Sequence, residues 1–315
     1  MNTSISAPPK PFKVLSLDGG GGKGVYTLGV LREIERAVKK PLKEEFDFFY
    51  GTSTGSIIAG ALATGATVDQ ILAFYLEKLP SIMKRFFSSR RSAALQENLE
   101  GFFGKKTFSD LEVGLAVVAT SLESKRAIIF KNSVDQAHGM KATFLPGFGL
   151  TLAEAIEASC SAYPFFCPKE LDLKNAGKIQ AVDGGFVANN PSLYALVDVR
   201  QALKLADENV RILSIGTGIY PESYPVYSWL HGVRIFPAMK MISTQFTASA
   251  NSTEKVFELL SKGIPSVRIN QSFAEPRLST SLFEHRPIVL NKLLNKGRES
   301  YASAEDSVKA LLNIQ

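Results

Sequence analysis

Two neighbouring stretches decide the fold: residues 12–24 read FKVLSLDGGGGKG, and residues 46–55 read FDFFYGTSTG. Each begins with a short apolar run typical of a buried strand, passes through a glycine-rich turn, and leads into a helical pattern of apolar residues. The first helix is predicted over Val25–Val38, and the second begins at about Ser56. Strands and helices that alternate in this way indicate an α/β fold whose mostly parallel central sheet is sandwiched between helices.

The alternation continues along the rest of the chain. A helix over Asp69–Phe87 is expected to be interrupted at Pro80, and Thr151 with Glu154 forms a capping box that predicts another helix. Further strands are predicted at Leu111–Ser121, Arg126–Lys131, Ile179–Val182, Val210–Ile215 and Ser266–Ile269. Since no repeat or Ser/Gly-rich linker divides the chain, we expect residues 12–315 to form one domain behind a flexible tail of residues 1–11.

Composition excludes several classes of protein. Of the 315 residues, 45% are hydrophobic, which is enough to fill a core and excludes disorder as the main state. The two cysteines, Cys160 and Cys167, exclude a disulfide scaffold, and their spacing without a nearby histidine fits no zinc site. The first thirteen residues lack the apolar run of a secretory signal, so we expect a cytoplasmic location.

The glycine loop after the first strand has three interpretations. Gly19, Gly21 and Gly24 satisfy G-x-G-x-x-G, and Asp47 stands near the offset of a ribose-binding acid, which favours a dinucleotide site. Consecutive glycines also let backbone N–H groups converge on an anion at a helix N-terminus, as in an oxyanion hole. The third interpretation is a tight turn without a ligand. The loop fails as a Walker A motif because Gly24 follows Lys23.

The second turn carries a candidate nucleophile. Gly51-Thr52-Ser53-Thr54-Gly55 is a G-x-S-x-G pentapeptide between an apolar strand and a small-residue helix. Gly51 and Gly55 are needed because a nucleophile elbow forces its central residue into a strained conformation and packs the turn against neighbouring backbone. Ser53 Oγ would therefore project at the N-terminus of a helix, where the helix dipole favours developing negative charge.

The candidate base is a carboxylate. The chain has three histidines, none of them at a predicted strand end: His138, His231 and His285. Asp183 does end a strand, in the sequence AVDGG, and Gly184 and Gly185 leave room for close approach to its carboxylate. An Asp-Gly turn without chemistry is the alternative.

Together, the three motifs resemble the patatin-like phospholipase family over nearly the whole chain. SLDGGGGKG is similar to that family's glycine cradle, GTSTG to its elbow and VDGG to its Asp-Gly motif, with SCSAYPFF and ANNP as less specific matches. Lys23 stands where arginine is commoner in the family. The motif glycines of the three turns are Gly19, Gly24, Gly51, Gly55, Gly184 and Gly185.

The resemblance implies a lipid acyl hydrolase of the phospholipase A type. Ser53 would be the nucleophile and Asp183 the base, with the backbone amides of Gly20, Gly21 and Gly22 as oxyanion hole. An acyl-enzyme would form and water would release the fatty acid, without a metal or redox cofactor. The alternatives are a dinucleotide-binding oxidoreductase, which leaves GTSTG and DGG unexplained, and a catalytically silent binding protein.

The positive charge of the chain is concentrated in one window. The net charge is +6, and residues 78–106 hold seven basic residues against two acidic ones, beside the sequence LPSIMKRFF at residues 79–87. This pattern favours a peripheral surface for anionic phospholipid, at the inner membrane face, over the alternative of a solvated helix. No basic groove interleaved with aromatic residues indicates a nucleic-acid polymer as partner.

The resemblance also suggests a regulator. Some compact bacterial members of the family are anti-phage effectors that cyclic nucleotides switch on to degrade the membrane of their own cell. The chain is similar to them in size, so a cyclic nucleotide is a candidate activator, although no sequence motif identifies a nucleotide pocket.

Overall fold

The computed structural model describes residues 10–138, 141, 144–174, 177–221 and 235–314. The described residues form eight strands: β1 (Phe12–Leu17), β2 (Phe48–Thr52), β3 (Gly114–Ser121), β4 (Ala127–Lys131), β5 (Lys169–Leu173), β6 (Gly177–Asp183), β7 (Val210–Ile215) and β8 (Ser266–Ile269). They also form nine α-helices: α1 (Gly24–Val38), α2 (Thr54–Ala63), α3 (Val68–Met83), α4 (Ser88–Phe103), α5 (Leu152–Cys160), α6 (Gly185–Ala188), α7 (Ser192–Val197), α8 (Ile235–Leu260) and α9 (Pro287–Leu312). Most of the predicted tail, residues 1–9, and His231 lie outside the described residues.

One sheet forms the centre of the fold. Its strand order is β5-β6-β3-β2-β1-β7-β8, with β4 also paired to β3. Strands β1, β2, β3, β7 and β8 pair in parallel, whereas β4 and β6 run antiparallel to β3 and β5 runs antiparallel to β6. The mostly parallel sheet expected from the sequence is therefore confirmed.

Helices cover both faces of the sheet. In β1, the side chains of Leu15 and Leu17 enter one hydrophobic core and that of Val14 enters the other, because successive residues of a strand point to opposite faces. Helices α1 to α5 and α9 contribute to the first core. Helix α7 and Phe257 of α8 contribute to the second. The sheet is thus buried on both sides, as parallel sheets require.

Strand β3 brings the carboxyl ends of two other strands together. Its residue Val118 pairs with Thr52, the last residue of β2, and its next residue, Ala119, pairs with Asp183, the last residue of β6. Because β4 occupies the other edge of β3 at Ala119, β2 and β6 share one edge. They run in opposite directions and meet end to end. The residue that follows Thr52 therefore lies beside Asp183.

The predicted interruption at Pro80 is wrong. Helix α3 continues through Pro80 and ends at Met83, and α4 begins at Ser88. A proline removes one backbone donor and opposes the helix, but here it lies in the last turn, close to where the hydrogen-bond pattern ends. The buried side chains of Leu79 and Ile82 hold this turn against the core.

Strand β5 is absent from the sequence prediction. Its sequence KELDL carries three charged residues, and only Leu171 and Leu173 are buried, so the apolar signal is short. The capping box is confirmed, because the side chains and backbone of Thr151 and Glu154 form the reciprocal hydrogen bonds at the start of α5.

Candidate active site

Ser53 lies on a strained turn between β2 and α2. Its backbone has φ 52° and ψ −126°, a region that residues other than glycine rarely occupy. The turn is too tight for side chains on either flank: a Cβ atom on Gly51 would lie 2.5 Å from the carbonyl oxygen of Gly55, and one on Gly55 would lie 2.3 Å from that of Leu17. The two glycines of G-x-S-x-G therefore permit the close packing that holds Ser53 in this conformation.

The side chains of Ser53 and Asp183 form a direct hydrogen bond. Ser53 Oγ donates to Asp183 Oδ2 at 2.6 Å, and Asp183 is only 1% exposed. The backbone N–H of Gly185 donates to the other carboxylate oxygen, Oδ1, at 2.7 Å. Among the described residues, each oxygen of Asp183 thus has one donor, so the carboxylate is fixed with Oδ2 toward the serine.

The backbone of both residues is anchored by α5. Ser159 Oγ accepts a hydrogen bond from the Ser53 N–H at 2.8 Å and donates to the carbonyl oxygen of Val118 at 2.5 Å. The carbonyl oxygen of Ser159 accepts from the N–H of Gly184 at 3.2 Å. A Cβ atom on Gly184 would lie 2.1 Å from the Val118 carbonyl oxygen, so glycine is required there. Ser159 therefore connects Ser53 with the glycine that follows Asp183. The SCSAYPFF segment contains it, but nothing in the sequence assigned it this contact.

Burial changes the acidity of Asp183. Removal from water raises the pKa of its carboxyl group to about 7, and the hydrogen bonds from Ser53 and Gly185 only partly oppose that rise. A carboxyl group of ordinary pKa near 4 is a weak base. With a pKa near 7 it becomes a much better proton acceptor at neutral pH.

The glycine loop between β1 and α1 lies against this pair. A Cβ atom on Gly19 would lie 3.0 Å from Ser53 Cβ, and Gly21 lines the same cavity as Ser53. The N–H of Gly19 donates to the carbonyl oxygen of Asn189 at 3.0 Å, and that of Gly22 donates to the carbonyl oxygen of Leu282 at 2.9 Å.

Of the three amides that the sequence assigned to an oxyanion hole, the Gly22 N–H is therefore engaged. No described residue accepts a hydrogen bond from the N–H of Gly20 or Gly21. Both glycines are packed too tightly for a side chain, since a Cβ atom would lie 2.5 Å from Thr217 Oγ1 at Gly20 and 2.1 Å from the Leu282 carbonyl oxygen at Gly21. Gly24 is similarly close to the Thr54 side chain.

A buried ion pair fixes the start of this loop. Arg268 of β8 donates from its two terminal nitrogens to both oxygens of Asp18, at 2.8 and 2.6 Å, and also bonds Ser214 Oγ. Such a bidentate pair restricts orientation as well as position. Arg268 is 250 residues from Asp18 in the chain, and no sequence motif marked it.

An apolar cavity opens beside Ser53. The space, including its open mouth, is about 730 Å³. Ser53, Asp183 and Gly21 lie on its wall, and the following large apolar side chains form much of the rest: Phe74, Leu79, Ile82, Met83, Phe166 and Phe283. We call this the Ser53 cavity. Its lining suits a hydrocarbon chain.

Other candidate groups do not join the pair. His138 Nε2 contacts Asp198 Oδ1 at 2.6 Å, and His285 Nδ1 contacts the carbonyl oxygen of Phe283 at 2.9 Å, so neither described histidine is bonded to Ser53. Cys160 lines the Ser53 cavity, but burial raises the pKa of its thiol, which opposes formation of the nucleophilic thiolate.

An α/β sheet that carries a serine on a strained strand-to-helix turn defines a class of protein, the serine hydrolases with a nucleophile elbow. The family model described as patatin-like phospholipase matches residues 15–196. That match covers more than half of the chain, so the chain belongs to the patatin-like phospholipase family. The family and hydrolase class expected from the sequence are confirmed, and the oxidoreductase alternative is wrong.

Curated relatives extend the similarity beyond this region. The chain is 42% identical over 306 residues to a cUMP-AMP-activated phospholipase of Escherichia coli, covering 95% of this chain and 93% of that protein. It is 32% identical over 240 residues to a cGAMP-activated phospholipase of E. coli strain TW11681, covering 68% and 65%. Among solved structures, human GIVD cytosolic phospholipase A2 shares the fold, with a TM-score of 0.50, 12% identity and coverage of 96% of this chain and 58% of that chain.

The pKa of Asp183 sets an expected pH dependence. If its carboxylate takes the proton of Ser53, kcat/KM falls about tenfold per unit as pH drops below 7, because protonation removes the base, and levels off above pH 7. Initial rates on a soluble p-nitrophenyl ester between pH 5 and 9 measure this without membrane effects. A flat profile between pH 5 and 8 would show that Asp183 does not act as the base.

Proposed function

We propose that this protein hydrolyses fatty-acyl ester bonds of membrane phospholipids through Ser53 and Asp183. The observation that carries the proposal is the 2.6 Å hydrogen bond from Ser53 Oγ to Asp183 Oδ2, made on a strained turn that faces an apolar cavity. Membership of the patatin-like phospholipase family supports the same chemistry.

The reaction has two halves. Asp183 accepts the proton of Ser53 Oγ as this oxygen bonds to the ester carbonyl carbon, and the carbonyl oxygen becomes an oxyanion. The bond to the leaving alcohol then breaks, and that alcohol takes the proton from Asp183. In the second half, water attacks the acyl-enzyme and gives a proton to Asp183. The fatty acid leaves, and the proton returns to Ser53 Oγ.

The amides of Gly20 and Gly21 are the proposed donors to the oxyanion. Both lie in the glycine loop that packs against Ser53, and their N–H groups have no acceptor among the described residues. Preorganised donors of this kind stabilise developing charge because they need no reorientation during the reaction. Gly22 is left out in this conformation, because the carbonyl oxygen of Leu282 holds its N–H.

The acyl chain of the substrate would occupy the Ser53 cavity. Aromatic and aliphatic side chains from α3, such as Phe74 and Ile82, line it beside the serine. Lys78, whose ammonium group pairs with Glu77 at 2.6 Å, also lines this cavity and is the proposed contact for a phosphate group of the substrate.

The turn between α3 and α4 is the proposed membrane contact. Phe86 is 78% exposed and Phe87 is 56% exposed, and the guanidinium of Arg90 lies 5.5 Å from the centre of the Phe87 ring. Lys84 and Arg85 are exposed beside them. We call residues 84–91, which comprise this turn and the first residues of α4, the basic-aromatic turn. Exposed aromatic rings between cations suit the interface of an anionic bilayer.

This turn adjoins the Ser53 cavity. Ile82 and Met83, immediately before it, line the Ser53 cavity. A bilayer that meets the basic-aromatic turn would therefore place lipid close to the serine. Among the described residues, no helix is both long and apolar enough to span a membrane, which is consistent with peripheral contact. We place the activity at the inner face of the cytoplasmic membrane.

Activation by a cyclic nucleotide is the proposed control. The relative that covers 95% of this chain is named a cUMP-AMP-activated phospholipase, and another relative is named for activation by cGAMP. An enzyme that degrades the membrane of its own cell needs such control, which fits the anti-phage role suggested by the sequence.

Replacing either member of the dyad is expected to stop hydrolysis. Ser53→Ala removes the nucleophile, and Asp183→Asn keeps the shape of the side chain but removes its basicity, so each lowers fatty-acid release by at least about 10³-fold. Released fatty acid and lysophospholipid are measured by mass spectrometry, with thermal melting as the test of folding.

Ser192→Ala is the matched control for the serine. Ser192 is buried and its hydroxyl has no hydrogen-bond partner among the described residues, so its loss should leave the rate unchanged. Turnover near the wild-type rate in folded Ser53→Ala or Asp183→Asn protein would refute the dyad.

Charge reversal in the basic-aromatic turn is expected to weaken membrane contact. The double variant Lys84→Glu with Arg85→Glu should bind anionic vesicles at least about tenfold more weakly, since each basic group contributes about 1 kcal/mol near such a surface. Hydrolysis of the soluble p-nitrophenyl ester should stay the same. Vesicle binding is measured by co-sedimentation, and the binding and the rate of ester hydrolysis are each compared between the double variant and the wild type.

The control is the pair Lys262→Glu with Lys292→Glu, two exposed lysines outside the turn. If this pair reduced vesicle binding as much as the test pair, the effect would reflect net charge. The basic-aromatic turn would then not be the contact.

A further inference from the structure

A polar groove lies at the carboxyl ends of β1, β7 and β8. It consists of two adjoining cavities of about 370 and 920 Å³ including their openings. The two cavities share six lining residues: Lys23, Gly218, Ile219, Ser243, Thr247 and Asn251. In parallel sheets, ligands bind at this end of the strands. The chemistry at Ser53 does not use this groove, and the Gly216-Thr217-Gly218 turn that begins it has no role in the dyad.

Two buried polar groups on the wall of the groove lack partners. Asn189 is 6% exposed, and its Oδ1 has no hydrogen bond among the described residues. Tyr220 is 9% exposed, and its hydroxyl is likewise without a partner there. Buried polar groups are normally satisfied, so one unpaired group on the wall of each cavity indicates that the groove receives a polar ligand.

The charges of the groove favour an anion. Lys23 supplies a positive charge to both cavities. Among the described residues on their walls, Asp18 is the one acidic group, and Arg268 holds both of its oxygens. Further hydroxyl and amide groups on the lining are those of Thr217, Thr244, Thr280, Ser281 and Asn270. Such groups suit phosphodiester oxygens, ribose hydroxyls and base edges.

We infer that the polar groove is the binding site of a cyclic dinucleotide activator. The inference rests on the proposed function, because it locates the control of the same Ser53 site. A lipid headgroup also contains a phosphodiester, but a single headgroup has far fewer hydrogen-bonding groups than this lining offers. The many donors and acceptors match the two phosphates, two sugars and two bases of a cyclic dinucleotide.

Two residues separate the polar groove from the Ser53 cavity. Leu282 and Phe246 line both spaces. The carbonyl oxygen of Leu282 accepts the N–H of Gly22, and the Phe246 ring packs against Gly185, where a Cβ atom would lie 2.8 Å from the ring. Gly185 in turn donates to Asp183.

A ligand in the groove therefore contacts the wall that positions the dyad and the glycine loop. Movement of Leu282 would also release the N–H of Gly22 toward an oxyanion. A ligand that binds this arrangement more tightly shifts the population toward it. Activation then acts on the catalytic site itself. The ligand should therefore accelerate hydrolysis of the soluble ester as well as hydrolysis of phospholipid in vesicles.

The test places a negative charge in the groove. Asn251 is exposed on α8 and lines both cavities, so Asn251→Glu should repel the phosphates without disturbing the fold. Ser252→Glu is the matched control, because Ser252 is the next residue, is exposed and lines neither cavity. Binding of cyclic UMP-AMP is measured by calorimetry in the Ser53→Ala background without lipid, with glycerophosphoethanolamine as the headgroup probe. Ester hydrolysis is measured in chains that retain Ser53.

We expect Asn251→Glu to weaken cyclic UMP-AMP binding at least tenfold and to raise the activating concentration equally, with basal hydrolysis unchanged. Ser252→Glu should match its parent, and glycerophosphoethanolamine should not bind. Activation of Asn251→Glu at the wild-type concentration would overturn the groove assignment and leave the proposed function intact. Binding of glycerophosphoethanolamine that Asn251→Glu abolishes would identify the groove as a headgroup site. Basal hydrolysis without binding or activation by cyclic UMP-AMP would overturn the activation while the dyad stands.

Discussion

The active site depends on the end-to-end meeting of β2 and β6 along one edge of β3. Thr52 and Asp183 pair with consecutive residues of β3, so the serine after Thr52 lies within hydrogen-bond distance of the carboxylate. Only an antiparallel β6 can present its carboxyl end to the carboxyl end of a parallel strand in this way. Ser159 then ties both strand ends to α5. The strained conformation of Ser53 is maintained because the surrounding backbone leaves it no alternative.

Burial gives this arrangement its chemistry. The same packing that excludes water from Asp183 raises its pKa to about 7, so the fold creates a base from an ordinary aspartate. The hydrogen bonds from Ser53 and Gly185 keep the carboxylate oriented while limiting that rise. The glycine loop contributes the amides of Gly20 and Gly21, which have no acceptor in the part of the chain that the structure describes, and the Asp18–Arg268 ion pair fixes where this loop begins. The sheet brings these parts together.

Much of this site could be predicted from the sequence because its motifs are local. GTSTG and VDGG each specify a turn at a strand end. Their meeting requires β6 to run antiparallel to β3, a direction that neither motif indicates. The sequence did not indicate which amides of the glycine loop are available, because the acceptor for Gly22 is Leu282, a residue far along the chain. The sequence also did not indicate the roles of Arg268 and Ser159, because long-range contacts leave no local sequence pattern. Strand β5 was not predicted because its apolar signal is short. The predicted interruption at Pro80 was wrong because this proline lies in the last turn of α3, where the helix tolerates it.

The central claim is that Asp183 activates Ser53 for attack on an acyl ester. A fluorophosphonate probe, which forms a covalent bond with an activated serine, tests it most directly when the labelled peptide and the labelling rate are read by mass spectrometry. We expect the adduct on Ser53, none in Ser53→Ala, and labelling at least about 10³-fold slower in folded Asp183→Asn. Labelling of Asp183→Asn at the wild-type rate, or an adduct on another serine, would contradict the account.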